Sequence, residues 1–250
     1  MKIYVVRPGD TVDAIAASQE VTSQSIIYDN QLVYPYPLAV GQALLLTESS
    51  DNGREAVPSY SAYTGGYAYP FISRWVLEQT LPYLSSLFIF SYGFTTDGEL
   101  IPPQLDDTFM ITMAKSYGTA PILTLTPFGP DGQFSNYLIT RVVNSETAKQ
   151  RLIEELTIQI QERGFEGVDI DFEYILPEDK IPFADFVREV RTAVNALGYP
   201  VSVALAPKTS DTQTGLLYEG KDYRLLGEAA DYVLLMTYEW GYTYCHIRYQ

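Results

Sequence analysis

Three carboxylates occupy every second position of the run Glu166-Gly167-Val168-Asp169-Ile170-Asp171-Phe172-Glu173-Tyr174. Side chains of an extended strand alternate between its two faces, and same-face neighbours lie about 6.6–7 Å apart. Asp169, Asp171 and Glu173 therefore share one face, and Val168, Ile170 and Phe172 share the other. The apolar face has to pack on helices, which turns the acids toward the interior, with Glu173 nearest the C-terminal rim. Carboxyls stacked this closely cannot all ionise, and burial raises their pKa values further. The expected outcome is shared protons and a Glu173 that stays protonated near neutral pH, the state a general acid requires. The competing reading, an acidic strand facing solvent, needs one wet sheet face, which parallel sheets rarely have.

The elements that must hold this run follow from apolar periodicity. Short apolar strands at 67–69, 87–92, 121–126, 167–174, 201–207 and 232–238 alternate with helical segments. The clearest helix spans 145–163, where Ala148, Leu152, Leu156 and Ile160 fall four apart on one face and Gly164 follows the end. Another opens at Pro182, suited to a first helical position, and buries Phe186, Val190 and Val194 before Gly198. The alternation predicts an α/β fold with a parallel sheet inside and helices outside, a (β/α)8-type TIM barrel.

A smaller unit precedes it at 1–48. Ile3 and Val5 read as a strand, Pro8-Gly9-Asp10 as a turn, and Asp10 or Thr11 as the cap of a helix burying Val12, Ile15 and Ala16. A second short helix covers 25–28, and Gly41 precedes a closing strand at Ala43–Leu46, giving a βααβ unit. Positions 49–58 are polar without apolar period and read as a linker, leaving 59–250 for the barrel.

Composition sets the outer limits. The 250 residues are 46% hydrophobic and 19% charged, enough for a large domain plus a small one. The net charge of −15 repels nucleic acid and anionic membrane, and neither is an expected partner. A polysaccharide would have to be gripped by hydrogen bonds and aromatic stacking, which 21 tyrosines suit. The only Cys and the only His are the neighbours Cys245 and His246; they allow no internal disulfide and are too few for a closed metal site. No signal peptide is visible in MKIYVVRPGD, and no apolar run approaches the roughly 20 residues of a membrane span.

Two family resemblances rest on these residues. The stretches YVVRPGDTVDAIA and YDNQLVYPYPLAVGQALLL resemble a LysM module. That implies binding of β-1,4-linked N-acetylglucosamine chains between two loops, one holding Gly9, Asp10 and Thr11, the other Asn30, Gln31 and Leu32. The acidic run resembles the signature D-G-x-D-x-D-x-E of glycoside hydrolase family 18, the chitinase-like enzymes. GGYAYPFI, FIFSYGFT and MTYEW on the first, second and sixth strands support it, and the chain up to Trp240 resembles bacterial spore-cortex glucosaminidases. Glu166 replaces the first Asp of the signature, and Phe172 stands where many members carry Trp.

The family resemblance implies a substrate-assisted retaining mechanism in which the substrate's acetamido oxygen is the nucleophile. Glu173 would protonate the glycosidic oxygen and later activate water. Asp171 would orient the acetamido group, Asp169 would hold Asp171, and Tyr238 would donate to the acetamido oxygen. Met236, Glu239, Trp240 and Tyr69 would line the sugar site, with no metal or organic cofactor. Non-proline cis peptide bonds are expected after Ser91 and after Glu173. Spore-cortex peptidoglycan, vegetative peptidoglycan and chitin all offer the acetamido group, and a weak or inactive glycan-binding or spore-coat structural protein is the alternative. The expected location is the spore coat, cortex or cell wall, otherwise the cytoplasm; no particular protein partner is indicated. Six strands can be found where such a barrel has eight, and the run Thr243-Tyr244-Cys245-His246 departs in composition from what precedes it. The expectation is a barrel truncated at its C-terminus by a frameshift or shortened gene, aggregation-prone and weakly active.

Overall fold

The computed structural model describes residues 2–47 and 62–237, and the chain divides into two compact units, Met1–Ser61 and Ala62–Gln250.

In the first unit, β1 (Lys2–Val5) pairs antiparallel with β2 (Ala43–Leu46), Lys2 opposite Leu46 and Val5 opposite Ala43. Between them lie α1 (Val12–Gln19) and α2 (Ser23–Asp29). Each helix starts where a threonine hydroxyl accepts an otherwise orphan amide: Thr11 from Ala14 N at 3.1 Å, Thr22 from Ser25 N at 3.0 Å. Val6, Ile15, Ile26, Leu44 and Leu46 form a core of their own. The βααβ order is the expected one, with α2 extending past the expected 25–28 at both ends.

Among the described residues, the second unit holds a curled sheet of six parallel strands in chain order: β3 (Gly65–Ala68), β4 (Ser86–Phe94), β6 (Ala120–Leu125), β7 (Val168–Ile170), β8 (Val201–Leu205) and β9 (Tyr232–Leu235). A two-residue strand, β5 (Leu100–Ile101), turns back antiparallel on the end of β4. The helices are α3 (Arg74–Thr80), α4 (Thr108–Ser116), α5 (Asn136–Val143), α6 (Glu146–Arg163), α7 (Lys180–Asn195) and α8 (Tyr223–Ala229). Among the described residues, no helix is long and apolar enough to cross a membrane.

The helix signals read from sequence are used as expected. Ser145 Oγ accepts from Ala148 N at 3.3 Å at the start of α6, and Gly164 closes the helix in the left-handed conformation at φ 81°. Leu152, Leu156 and Ile160 are buried, each worth roughly 1.5–3 kcal/mol of hydrophobic stabilisation. Helix α7 begins two residues before Pro182, because a 3-10 turn at Pro177–Asp179 leads directly into it. Its Phe183 and Phe186 stack with Phe172, and Phe172 also meets Phe94 at 5.3 Å between ring centroids. The apolar face of the acidic run thus packs on helix α7, as alternation requires.

Candidate active site

Ladder pairing of the acidic run is shorter than the expected 167–174. Regular strand covers Val168–Ile170 only, in register with Leu123–Leu125 of β6 and Val201–Val203 of β8. Asp171 N still donates to Leu125 O at 2.9 Å, so the backbone stays extended one residue further and Glu173 projects beyond the ladder.

Asp169 is fully buried, and two hydroxyls hold it. Tyr67 Oη donates to one carboxylate oxygen at 2.7 Å and Ser202 Oγ to the other at 2.5 Å. Tyr67 lies on β3, three strand spacings from β7, roughly 14 Å in a flat sheet. That bond closes only because the sheet curls, and it places Asp169 on the concave side. Burial drives the Asp169 pKa upward, opposed by the bonds from Ser202 and Tyr67.

Asp171 has a different setting. Its Oδ1 is buried without a hydrogen-bond partner among the described residues. Burial, then the charges of Asp169 and Glu173, push its pKa up to about 7, against the pull of Lys221. The carboxyls driven upward here are therefore Asp169 and Asp171. Glu173 lines a cleft of about 470 Å³ with Tyr174, Pro207, Tyr218, Met236 and Thr237. Met236 is thus brought to Glu173. Tyr238, Glu239 and Trp240 lie outside the described residues.

Aromatic rings lead away from this cleft. Tyr174 meets Phe134 at 5.2 Å, Phe134 meets Phe128 at 6.0 Å, and Phe128 meets Phe90 at 6.3 Å. Phe90 meets Tyr69 at 4.9 Å, and Tyr69 stacks on Phe71 at 5.0 Å. Tyr69 and Phe71 are 48% and 72% exposed, and with Pro102, Pro103 and Phe128 they border a further cleft of about 400 Å³. The line joins the exposed rim to the residue after Glu173. The non-proline cis bond lies at Phe90–Ser91, one bond before the expected position; the described backbone has none at Glu173–Tyr174.

Sequence reading missed three contributors. Tyr67 was detectable in principle, since it sits two residues before Tyr69 on the same strand face. Ser202 is aligned with Asp169 only through the strand register. Lys221 comes from an irregular segment, where no periodicity points to it. Among the described residues, no group of three or more His, Cys, Asp or Glu is placed to hold a metal ion.

In the first unit, the two predicted loops are ordered by the residues singled out. Gly9 adopts φ 86°, and Asp10 Oδ2 accepts from Arg7 N at 2.7 Å and Tyr4 Oη at 2.8 Å, which holds its pKa below the ordinary value. Asn30 bridges to β2: its amide donates to Leu45 O and Ile26 O, both at 2.8 Å, and its Oδ1 accepts from Leu45 N at 2.7 Å. Leu32 packs against the small core, while Gly9, Thr11 and Gln31 are exposed.

Residues 123–244 match the model for glycosyl hydrolases family 18, and residues 4–47 match the LysM domain. The chain is 31% identical to the cortical fragment-lytic enzyme of Bacillus subtilis (strain 168), over 97% of this chain and 67% of that protein. It superposes on the spore cortex-lytic enzyme SleL of Bacillus megaterium QM B1551 with a TM-score of 0.68 and 27% identity, covering 96% of this chain and 55% of that one. A class V chitinase of Pseudomonas fluorescens Pf-5 gives 0.66 and 28%, over 71% of this chain and 55% of that one. The chain belongs to the glycosyl hydrolases of family 18, carries a LysM domain ahead of that region, and is related to spore cortex-lytic enzymes and chitinases. It spans about half to two thirds of the length of these relatives.

Proposed function

We propose that this protein hydrolyses β-1,4 glycosidic bonds in polymers containing N-acetylglucosamine, with spore-cortex peptidoglycan as substrate, by substrate-assisted retention. The observation that carries this reading is the division of labour along one run of chain: a locked Asp169, an Asp171 whose buried Oδ1 has no partner among the described residues, and a Glu173 open to a cleft. Glu173 gives its proton to the glycosidic oxygen as the bond from C1 to that oxygen breaks. The acetamido oxygen of the same sugar bonds to C1, and Asp171 faces the positive charge that develops on the resulting oxazolinium. Water then attacks C1 and yields a proton to Glu173, restoring both groups and the original anomeric configuration.

An Asp171 that titrates near neutrality supports this reading, because the cycle needs one proton held between the two acids. The aromatic line from Tyr174 to Phe71 supports a sugar-polymer substrate, since stacking grips sugar rings without relying on charge. Met236 fits the wall of the sugar site, with Tyr238, Glu239 and Trp240 assigned there by family resemblance alone. The LysM unit would hold the polymer through its loops at 9–11 and 30–32 and so bring the protein to spore or cell-wall glycan. The names of the relatives, two of them cortex-lytic, favour cortex over chitin.

Release of reducing ends from N-acetylated glycan tests the proposal. Glu173→Gln should lower turnover by about 10²–10⁴-fold, and equal release by both forms would remove the enzymatic reading. Activity should follow a bell-shaped pH profile with its optimum at mildly acidic to neutral pH.

A further inference from the structure

Lys221 is 1% exposed, and its Nζ has no hydrogen-bond partner among the described residues. An ammonium carries three donors and is rarely buried unless paired. The segment bearing it is pinned on both sides. A Cβ at Gly220 would lie 2.1 Å from Ile175 O, so the backbone there rests directly on the chain just after Glu173. Lys221 N donates to Tyr218 O at 3.2 Å, and the Nζ of Lys208 donates to Lys221 O. The opposite charges acting on Lys221 are Asp171 and Glu173, and Asp171 holds the other orphaned buried atom, Oδ1.

We propose that Lys221 is a positioning residue of the reaction, its buried ammonium being the countercharge that sets how many protons the Asp171–Glu173 pair carries. The inference rests on the reading of the site given above. A pair holding one proton has one negative charge, and the Lys221 ammonium balances it. Without it, the first ionisation would place a bare charge in a buried site. Among the described residues, the remaining groups facing the cluster cannot substitute. Asp169 brings no positive charge and is held by Tyr67 and Ser202, and the Lys208 ammonium is turned to the Lys221 carbonyl, where its charge works against that of Lys221. Burial brings Lys221 down to about 8, and the charges of Asp171 and Glu173 work the other way and favour the ammonium.

The test compares the full chain with Lys221→Met and Lys221→Arg by two readouts. In the pH profile of kcat/KM on an N-acetylglucosamine oligomer, Lys221→Met should move both limbs to higher pH by about one unit or more. Lys221→Arg should keep the limbs in place. A methionine profile that changes only in height means a structural role and overturns the proposal. The second readout needs no turnover: the carboxyl carbon of Asp171 followed by NMR, assigned by its loss in Asp171→Asn. Its midpoint should rise in Lys221→Met, and in the unaltered chain it should show a second inflection as Lys221 loses its proton near pH 8. A moved midpoint without any hydrolysis would leave the countercharge standing and defeat the enzymatic reading alone. An unmoved midpoint overturns the proposal whatever the hydrolysis. If Lys221→Met does not fold, the second inflection decides, and its absence overturns the proposal.

Discussion

Asp169 and Asp171 are two residues apart and meet opposite treatment. The first accepts two hydroxyl bonds, and the second has a buried oxygen with no partner among the described residues. A buried acid left unbonded costs stability, and the sign of its pH dependence follows. The folded-state pKa of Asp171 is raised from 3.8 to about 7, a displacement on the order of 4 kcal/mol. Ionisation is thus disfavoured in the folded protein, and stability falls as pH rises through that interval. Asp171→Asn should be more stable than the parent by about 1–3 kcal/mol at pH 8, with the difference fading near pH 4 and turnover lost. Denaturant midpoints at the two pH values check this; a variant equally or less stable at pH 8 would contradict it. The alternation of Val168, Ile170 and Phe172 with the three acids made this part of the site legible, because a packed face dictates the other. Lys221 was not legible, since a loop residue acquires its place only when distant segments meet.

At the level of elements, the close approach of β4 to the chain after β6 decides the shape of the rim. Phe94 N donates to Phe128 O at 3.0 Å, and a Cβ at Gly93 would lie 2.2 Å from that same carbonyl. Gly93→Ala must therefore separate the two segments and disturb the Phe90–Phe128 contact. The expected result is a loss of about 1–3 kcal/mol and a larger fall in activity on long glycans than on short oligomers. Equal loss on both lengths would argue against the ring line as a glycan path. Helix starts at Thr11 and Ser145 and the end at Gly164 could be read in advance, because each depends on one side chain or one φ angle. The early end of the β7 ladder could not, since its length depends on how β6 and β8 meet it.

On the scale of the whole molecule, two units with separate cores divide binding from chemistry in the proposed function. A tethered binding unit acts through effective concentration, which matters for an insoluble polymer and little for a small soluble one. Removing residues 1–58 should raise the apparent KM on intact peptidoglycan about 10-fold or more, leaving kcat on a soluble oligomer unchanged. A deletion that alters only the soluble-substrate kcat would show the first unit to be part of the catalytic fold. The net charge of −15 makes such a tether useful, because long-range attraction cannot hold an acidic wall polymer near the cleft.

The bond from Tyr67 to Asp169 has an evolutionary consequence. It fastens β3 to β7, so the curvature of the sheet and the lowest acid of the site depend on the same atoms. Drift that removes Asp169 would take away the acceptor of the Tyr67 and Ser202 hydroxyl bonds and loosen the curl, and selection for folding alone would oppose it. Glu173, standing beyond the ladder at the cleft, ties no two strands together among the described residues. A lineage abandoning hydrolysis for glycan binding should therefore lose its outermost acid first and keep the innermost, leaving a barrel that still looks like an enzyme long after it has ceased to be one.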